Sequence, residues 1–168
     1  MRRRTAILLL AIIGIAWVAS SGLFELPVRV VYNASDSVPP GWYRIDPYVL
    51  PRVGDLVLVR LPSEAAQLAS QRGYLPIEVP MLKPVFAAPP QHACTIGSRL
   101  VVDGATAVEA RAYDRRGRPM PQWRGCRPLV DDELLLLSPS HADSFDSRYF
   151  GPVSTNAVLG TAHRLFAD

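Results

Sequence analysis

Ser35-Asp36-Ser37-Val38-Pro39-Pro40-Gly41-Trp42-Tyr43 is the stretch from which the rest of the chain is read. Just upstream, Val28 to Tyr32 is a β-branched and aromatic run that predicts a strand. Asn33 to Gly41 predicts an irregular segment. Pro39 and Pro40 lock φ and remove two backbone donors, so the chain beside Ser37 is stiff. Pro39 also biases Val38 toward an extended conformation. The result is a hydroxyl held between a strand and a proline-stiffened turn. Lys83, further on, is the only lysine; the other 17 of the 18 basic residues are arginine. Arginine stays charged in proteins, whereas a buried lysine can lose its proton. A lone lysine in the apolar run Met81-Leu82-Lys83-Pro84-Val85-Phe86 marks a position where arginine would not serve. A serine nucleophile needs a base, and a neutral amine is one.

Outward from this pair, 168 residues leave room for one domain plus an appendage. Thr5 to Phe24 carries no charge, and a helix of that length spans roughly 30 Å, one bilayer core. Arg2, Arg3 and Arg4 precede it with no comparable cluster behind, which keeps the N-terminus cytoplasmic. The expected organisation is a cytoplasmic tip over residues 1–4, a transmembrane anchor over 5–24 and an exported domain over 25–168. That places the chain as a single-pass protein of a bacterial inner membrane with its domain on the periplasmic side. The alternative is a cleaved signal peptide, with small residues Ala19-Ser20-Ser21 for processing; both readings export the domain. The net charge of +3 comes from the three leading arginines, which leaves the remainder balanced and gives no nucleic-acid signal. Arg115, Arg116 and Arg118 read as a solvated hairpin tip. Cys94 and Cys126 are the only cysteines; in an oxidising compartment they either pair or stay free. No CxxC or His/Cys cluster indicates a metal site, and no cofactor motif is present.

The remaining segments are short strands and turns. Gly54-Asp55 predicts a turn before a strand over Leu56 to Leu61. Ser63 to Gly73 predicts the single soluble helix, with Ser63 as its cap and Gly73 as its stop. Met81 to Ala88 predicts the lysine strand, and Pro84 within it implies an edge, a bulge or a strand end. Thr95-Ile96 and Leu100 to Val102 flank a turn at Gly97-Ser98. Ala110 to Trp123 predicts a polar hairpin with its tip near Gly117. Glu133 to Leu137 predicts a short apolar strand, Ser144 to Gly151 a polar loop, and Val158-Leu159 the close of the last strand. Sixteen prolines argue against a helical bundle. The expectation is a mostly β domain.

Several of these segments resemble, in order, the type I signal peptidases of the serine–lysine class, in particular the TraF-type conjugative transfer peptidases. Ser37-Val38-Pro39-Pro40-Gly41-Trp42-Tyr43 resembles the nucleophile motif, and Gly54-Asp55-Leu56-Val57-Leu58-Val59 the strand that follows it. Arg72-Gly73-Tyr74-Leu75-Pro76 and Leu82-Lys83-Pro84-Val85 resemble the approach to the lysine. Ser144-Phe145-Asp146-Ser147-Arg148-Tyr149-Phe150-Gly151-Pro152 resembles the late Asp-Ser-Arg-Tyr box, the most specific of the set. The chain departs from the family at Ala88-Pro89-Pro90-Gln91-His92, where Pro-Gly-Asp is usual.

The resemblance implies a signal-peptidase-like β domain with one short helix. It implies Ser37 as nucleophile, Lys83 as general base and Ser35 as an oxyanion-hole hydroxyl. Ser144 would orient the lysine, and Asp146 and Arg148 would support the site. It further implies an extended segment of a membrane-associated precursor as substrate, such as a conjugative pilin, with cleavage or cyclisation as the outcome. Two rivals stand beside it. One is a Ser-His-Asp hydrolase drawing on His92, His141 or His163, with Asp143 or Asp146 near His141. The other is a non-enzymatic, membrane-anchored β module for pilus or envelope assembly.

Overall fold

The computed structural model describes residues 2–21 and 27–166. Helix α1 (Arg2–Ser21) holds the apolar run, with its large side chains from Ile7 to Val18 exposed. Among the described residues no helix is long and apolar enough to cross a membrane. Residues 22–24 of the anticipated anchor lie outside the described residues.

The domain is mostly β. Seven strands form one antiparallel sheet: β1 (Val30–Asn33), β2 (Gly41–Asp46), β3 (Leu56–Val59), β4 (Met81–Ala87), β9 (Glu133–Leu136), β10 (Val153–Ser154) and β11 (Val158–Arg164). Their spatial order is β1-β2-β11-β3-β4-β9-β10. Four more form a second sheet in the order β7-β6-β5-β8: β5 (His92–Ile96), β6 (Arg99–Val102), β7 (Ala105–Glu109) and β8 (Cys126–Pro128).

Side-chain alternation explains the apolar runs. On β9, Leu134 and Leu136 join Val57, Val59, Val85 and Val153 in one core, while Leu135 and its neighbour Leu137 pack with Ala93, Leu100 and Val108 beneath the second sheet. A strand buried on both faces needs no polar alternation. Likewise β3 sends Leu58 to a third cluster, with Tyr43, Ile45 and Leu82, and Val57 and Val59 to the opposite side.

Several local readings need correction. Pro84 does not mark an edge: β4 lies between β3 and β9, with Pro84 opposite Leu56. The bulge reading survives as a register shift between Val85 and Ala87. Pro84 costs one donor, and its carbonyl still accepts from Leu137 N at 3.2 Å. Helix α2 (Ser63–Gln71) has Pro62 at its N-cap and no side-chain cap, so Ser63 is its first helical residue. Gly73, at φ +70°, does end it. Residues 144–151 are not an open polar loop. Ser147–Phe150 is a short helix, α3, entered through Asp146, and a 3-10 turn follows at Thr155–Ala157; the single expected helix therefore has short companions. Gly151 closes α3 at φ +81° with Trp123 packed where a Cβ would stand. The last strand runs well past Leu159, to Arg164, and pairs with both β2 and β3.

Candidate active site

The turn bearing Ser37 is built by a residue that sequence reading passed over. Asn33, at the end of β1, is buried. Its Nδ2 donates to the carbonyls of Ser35 at 2.8 Å, Val38 at 2.9 Å and Pro39 at 3.3 Å. Its Oδ1 accepts from the Ser35 amide at 3.1 Å and the Ser35 hydroxyl at 2.8 Å. Tyr43 Oη adds a bond to the Pro39 carbonyl at 2.7 Å. Asparagine suits the task because one amide carries both donors and an acceptor. The only sequence signal was an Asn at a strand end before a turn, which is common.

Lys83 sits mid-strand on β4, opposite Val57 on β3. Strand alternation puts it on the same face as Met81 and Val85. It is 2% exposed, which is unusual for a lysine and costly while it is charged. Burial lowers its pKa from 10.5 to about 8, with Asp146 opposing and Arg148 reinforcing the shift. Its Nζ donates to Ser144 Oγ at 2.5 Å. Ser144 Oγ in turn lies 3.4 Å from Ser37 Oγ. The structure therefore brings Ser37, Ser144 and Lys83 together, with the Ser144 hydroxyl between the other two.

The remaining sequence-marked residues divide. Ser35 lies beside Ser37, but its hydroxyl is turned to Asn33. Asp146 and Arg148 lie behind the site as a buried pair. Arg148 Nε donates to Asp146 Oδ1 at 2.7 Å and Nη2 to Oδ2 at 2.9 Å, a two-pronged contact. The other Arg148 donors reach the carbonyls of Ser138, His141, Ala142 and Glu109. Asp146 also accepts from Ser138 N at 3.1 Å. The pair thus stitches the 138–144 segment, and with it Ser144, to the strands. Ser147, buried beside it, accepts from Leu136 N at 3.0 Å.

His141 lines the same cleft and its carbonyl accepts from the Ser144 amide at 3.0 Å, but among the described residues no histidine side chain bonds to Ser37, Ser144 or Lys83. His141 Nδ1 lies 3.0 Å from Ser140 Oγ, His163 is exposed on β11, and Asp143 pairs with Arg111 and Arg115. His92 lies beside Cys94. His92, Cys94 and Cys126 form the one grouping of metal-ligand types among the described residues, but both sulfurs are joined to each other as a disulfide.

Ser37, Ser144 and Lys83 open into a cleft of about 840 Å³. Its far wall is the end of α2 and the hairpin around Gly117. The hairpin tip is fixed by Asp114, which accepts from the amides of Arg116 and Arg118 at 2.9 Å each, from Arg118 Nε at 2.7 Å and from Tyr74 Oη at 2.5 Å. Burial alone would raise the Asp114 pKa; the bonds from Tyr74 and Arg118 outweigh it and hold the carboxyl below the usual range. The expected hairpin is present, but it is a wall of the cleft rather than a free tip.

Known proteins resemble the chain along most of its length. The family profile of signal peptidase, peptidase S26, matches residues 2–166. Conjugal transfer protein TraF of Agrobacterium fabrum strain C58 is 34% identical over 166 residues, covering 92% of this chain and 93% of that protein. A conjugal transfer protein TraF from Agrobacterium tumefaciens strain 15955 is 34% identical over 99% of this chain and 98% of its own length. A plasmid transfer protein TraF from Escherichia coli is 28% identical over 85% of this chain and 84% of its own. Among solved structures, a signal peptidase I from Enterococcus faecalis V583 aligns with a TM-score of 0.39 and 15% identity, covering 66% of this chain and 95% of that one. On the strength of the family match and the TraF relatives, the chain belongs to the S26 signal peptidase family.

Proposed function

We propose that this protein is a membrane-anchored serine endopeptidase working through a Ser37–Lys83 dyad. It processes an exported precursor that presents an extended segment at the bilayer surface. The observation that carries the reading is the buried Lys83 amine, lowered to about 8 and linked to Ser37 through Ser144. Ser37 Oγ attacks the scissile carbonyl while its proton passes to neutral Lys83, with Ser144 placed to relay it or to orient the amine. The Ser37 amide and the Ser35 hydroxyl, once rotated away from Asn33, receive the oxyanion; such a donor contributes about 3–4 kcal/mol. Charged Lys83 then protonates the leaving amine, which departs as the acyl-enzyme forms. Water completes hydrolysis. An amine in its place forms a new peptide bond and closes a ring if it belongs to the same chain.

The relatives are named conjugal or plasmid transfer proteins, and this favours a conjugative pilin precursor as the substrate. Residues 5–24 serve as the anchor, with 1–4 cytoplasmic and 25–168 on the periplasmic face of a bacterial inner membrane. The test is co-expression of the full chain with pilin-like precursors, read by precursor mass. Wild type is expected to cleave, while Ser37→Ala and Lys83→Arg accumulate precursor and remain folded. Lys83→Arg keeps the charge and removes the usable base, so normal cleavage by that variant overturns the dyad. Product mass separates the outcomes, since a cyclic product is one water lighter than the linear one. A wild type that cleaves none of the precursors favours the assembly-module reading.

A further inference from the structure

The cleft wall facing Ser37 is charged beyond what catalysis by a Ser–Lys pair uses. Five arginines and three aspartates line the cleft. Arg111 and Arg115 share Asp143, each at 2.8 Å. Arg72 and Arg118 share Asp114, at 3.6 and 2.7 Å. Each carboxylate thus serves two guanidinium groups and balances one. Arg116 adds a third unbalanced charge: its amide donates to Asp114, and among the described residues its guanidinium has no ion-pair partner. Asp36, the remaining acid, offsets one of these. Both shared aspartates have pKa values held below the ordinary value, Asp143 chiefly by the hydrogen bond from Arg115. They therefore stay ionised at neutral pH, and the excess belongs to the arginines. The wall is also pre-built. Arg72 Nη2 donates to the Pro119 carbonyl at 2.6 Å, and the Asp114 amide to the Arg118 carbonyl at 2.9 Å. These bonds tie the tip to the end of α2 and fix the backbone at Arg116, whose side chain is exposed.

We propose that Arg116 and its neighbours form a carboxylate-binding subsite, so that the cleft prefers a peptide carrying an acidic group beside the bond to be cut. An arginine fork pairs two-pronged with a carboxylate, and with the hairpin backbone already fixed only side-chain freedom is lost on binding. The carboxylate is either an Asp or Glu side chain or the free C-terminus of a short leaving segment. The inference rests on the reading that the cleft receives a peptide.

The test uses the full chain with Ser37→Ala to stop turnover. Ten-residue alanine-rich peptides are bound, followed by fluorescence anisotropy. Each carries one Glu moved along the sequence, and each is paired with its Gln counterpart and with a C-terminally amidated form. The expected result is a position at which the acidic peptide binds roughly fivefold tighter, with the advantage shrinking as salt is raised. Loss on Glu→Gln identifies a side chain, and loss on amidation identifies the C-terminus. Arg116→Glu, in the same background, is expected to reverse the preference. Arg99→Glu, an equal charge change on β6, is expected to leave it. Binding without any Glu/Gln or acid/amide difference overturns the subsite and leaves the peptide reading standing. Absence of binding by every peptide overturns both.

Discussion

Lys83 concentrates the burial cost of the candidate site in one side chain. If it is the base, only its neutral form acts, so kcat/KM rises about tenfold per pH unit on the acid side and levels off above about 8. Initial rates on a cleaved precursor from pH 6 to 10 check this. A profile that levels near 6.5 instead assigns the base to a histidine. The same shift opposes folding. Between about 8 and 10.5 the unfolded chain binds the lysine proton and the folded chain does not, so stability rises with pH across that window. Below it the cost is complete, about 3 kcal/mol for a shift of this size. Lys83→Met is therefore expected to stabilise the protein at pH 7 by roughly 2 kcal/mol, after allowing for the lost bond to Ser144. The gain should fade by pH 10.5. Urea unfolding at the two pH values is the measurement, and equal effects at both would assign the change to packing instead of charge.

Among the elements, the turn after β1 and helix α3 do the positioning, and each depends on one polar residue. Asn33→Ala strips a buried amide from three carbonyls and from the Ser35 amide. The expected loss is about 1–3 kcal/mol, with a fall in kcat larger than any change in KM because Ser37 is no longer held. Asn33→Asp keeps the acceptor but not the donors and should recover little. At α3, Arg148→Met leaves Asp146 buried without its cation, an expected cost of about 3–5 kcal/mol. The Asp146→Leu/Arg148→Met double variant should recover part of that stability in thermal melts. It should not recover activity, because the carbonyls of Ser138, His141 and Ala142 still lack their donor and Ser144 drifts with them. The box over 144–152 was visible in sequence as a motif, yet its polar letters read as an exposed loop. Ser147, Asp146 and Arg148 are polar because they bond backbone and one another inside the protein, and composition does not separate those uses from solvation.

At the scale of the whole molecule, the large sheet carries Lys83 on β4 and the Ser37 turn between β1 and β2, while the second sheet braces β9 from behind. The disulfide joins Cys94 and Cys126, opposed on β5 and β8 of the second sheet, across a separation of 32 residues. In the chain-entropy account a loop of that size stabilises by about 3–4 kcal/mol. Cys94→Ala/Cys126→Ala is expected to lower the unfolding free energy by that amount. Activity per folded molecule should be retained, since neither cysteine lines the cleft. An unchanged unfolding curve would show that the bond closes a loop already ordered in the unfolded chain.

The sequence by itself determined the strand-rich domain, the order of its motifs and the apolar setting of its one lysine. These follow from local causes: β-branched runs, proline and glycine punctuation, and a single lysine in an apolar strand. Tertiary structure alone decided that Pro84 sits inside a sheet, that Ser144 stands between Lys83 and Ser37, that Asn33 builds the Ser37 turn, and that the arginine hairpin walls the cleft. Three of these are contacts between residues distant in sequence or a choice of which face is buried; Asn33 bonds only within six residues, and what the fold adds there is its burial at the end of β1. Such contacts depend on how the sheets close around one another, and no local pattern encodes that.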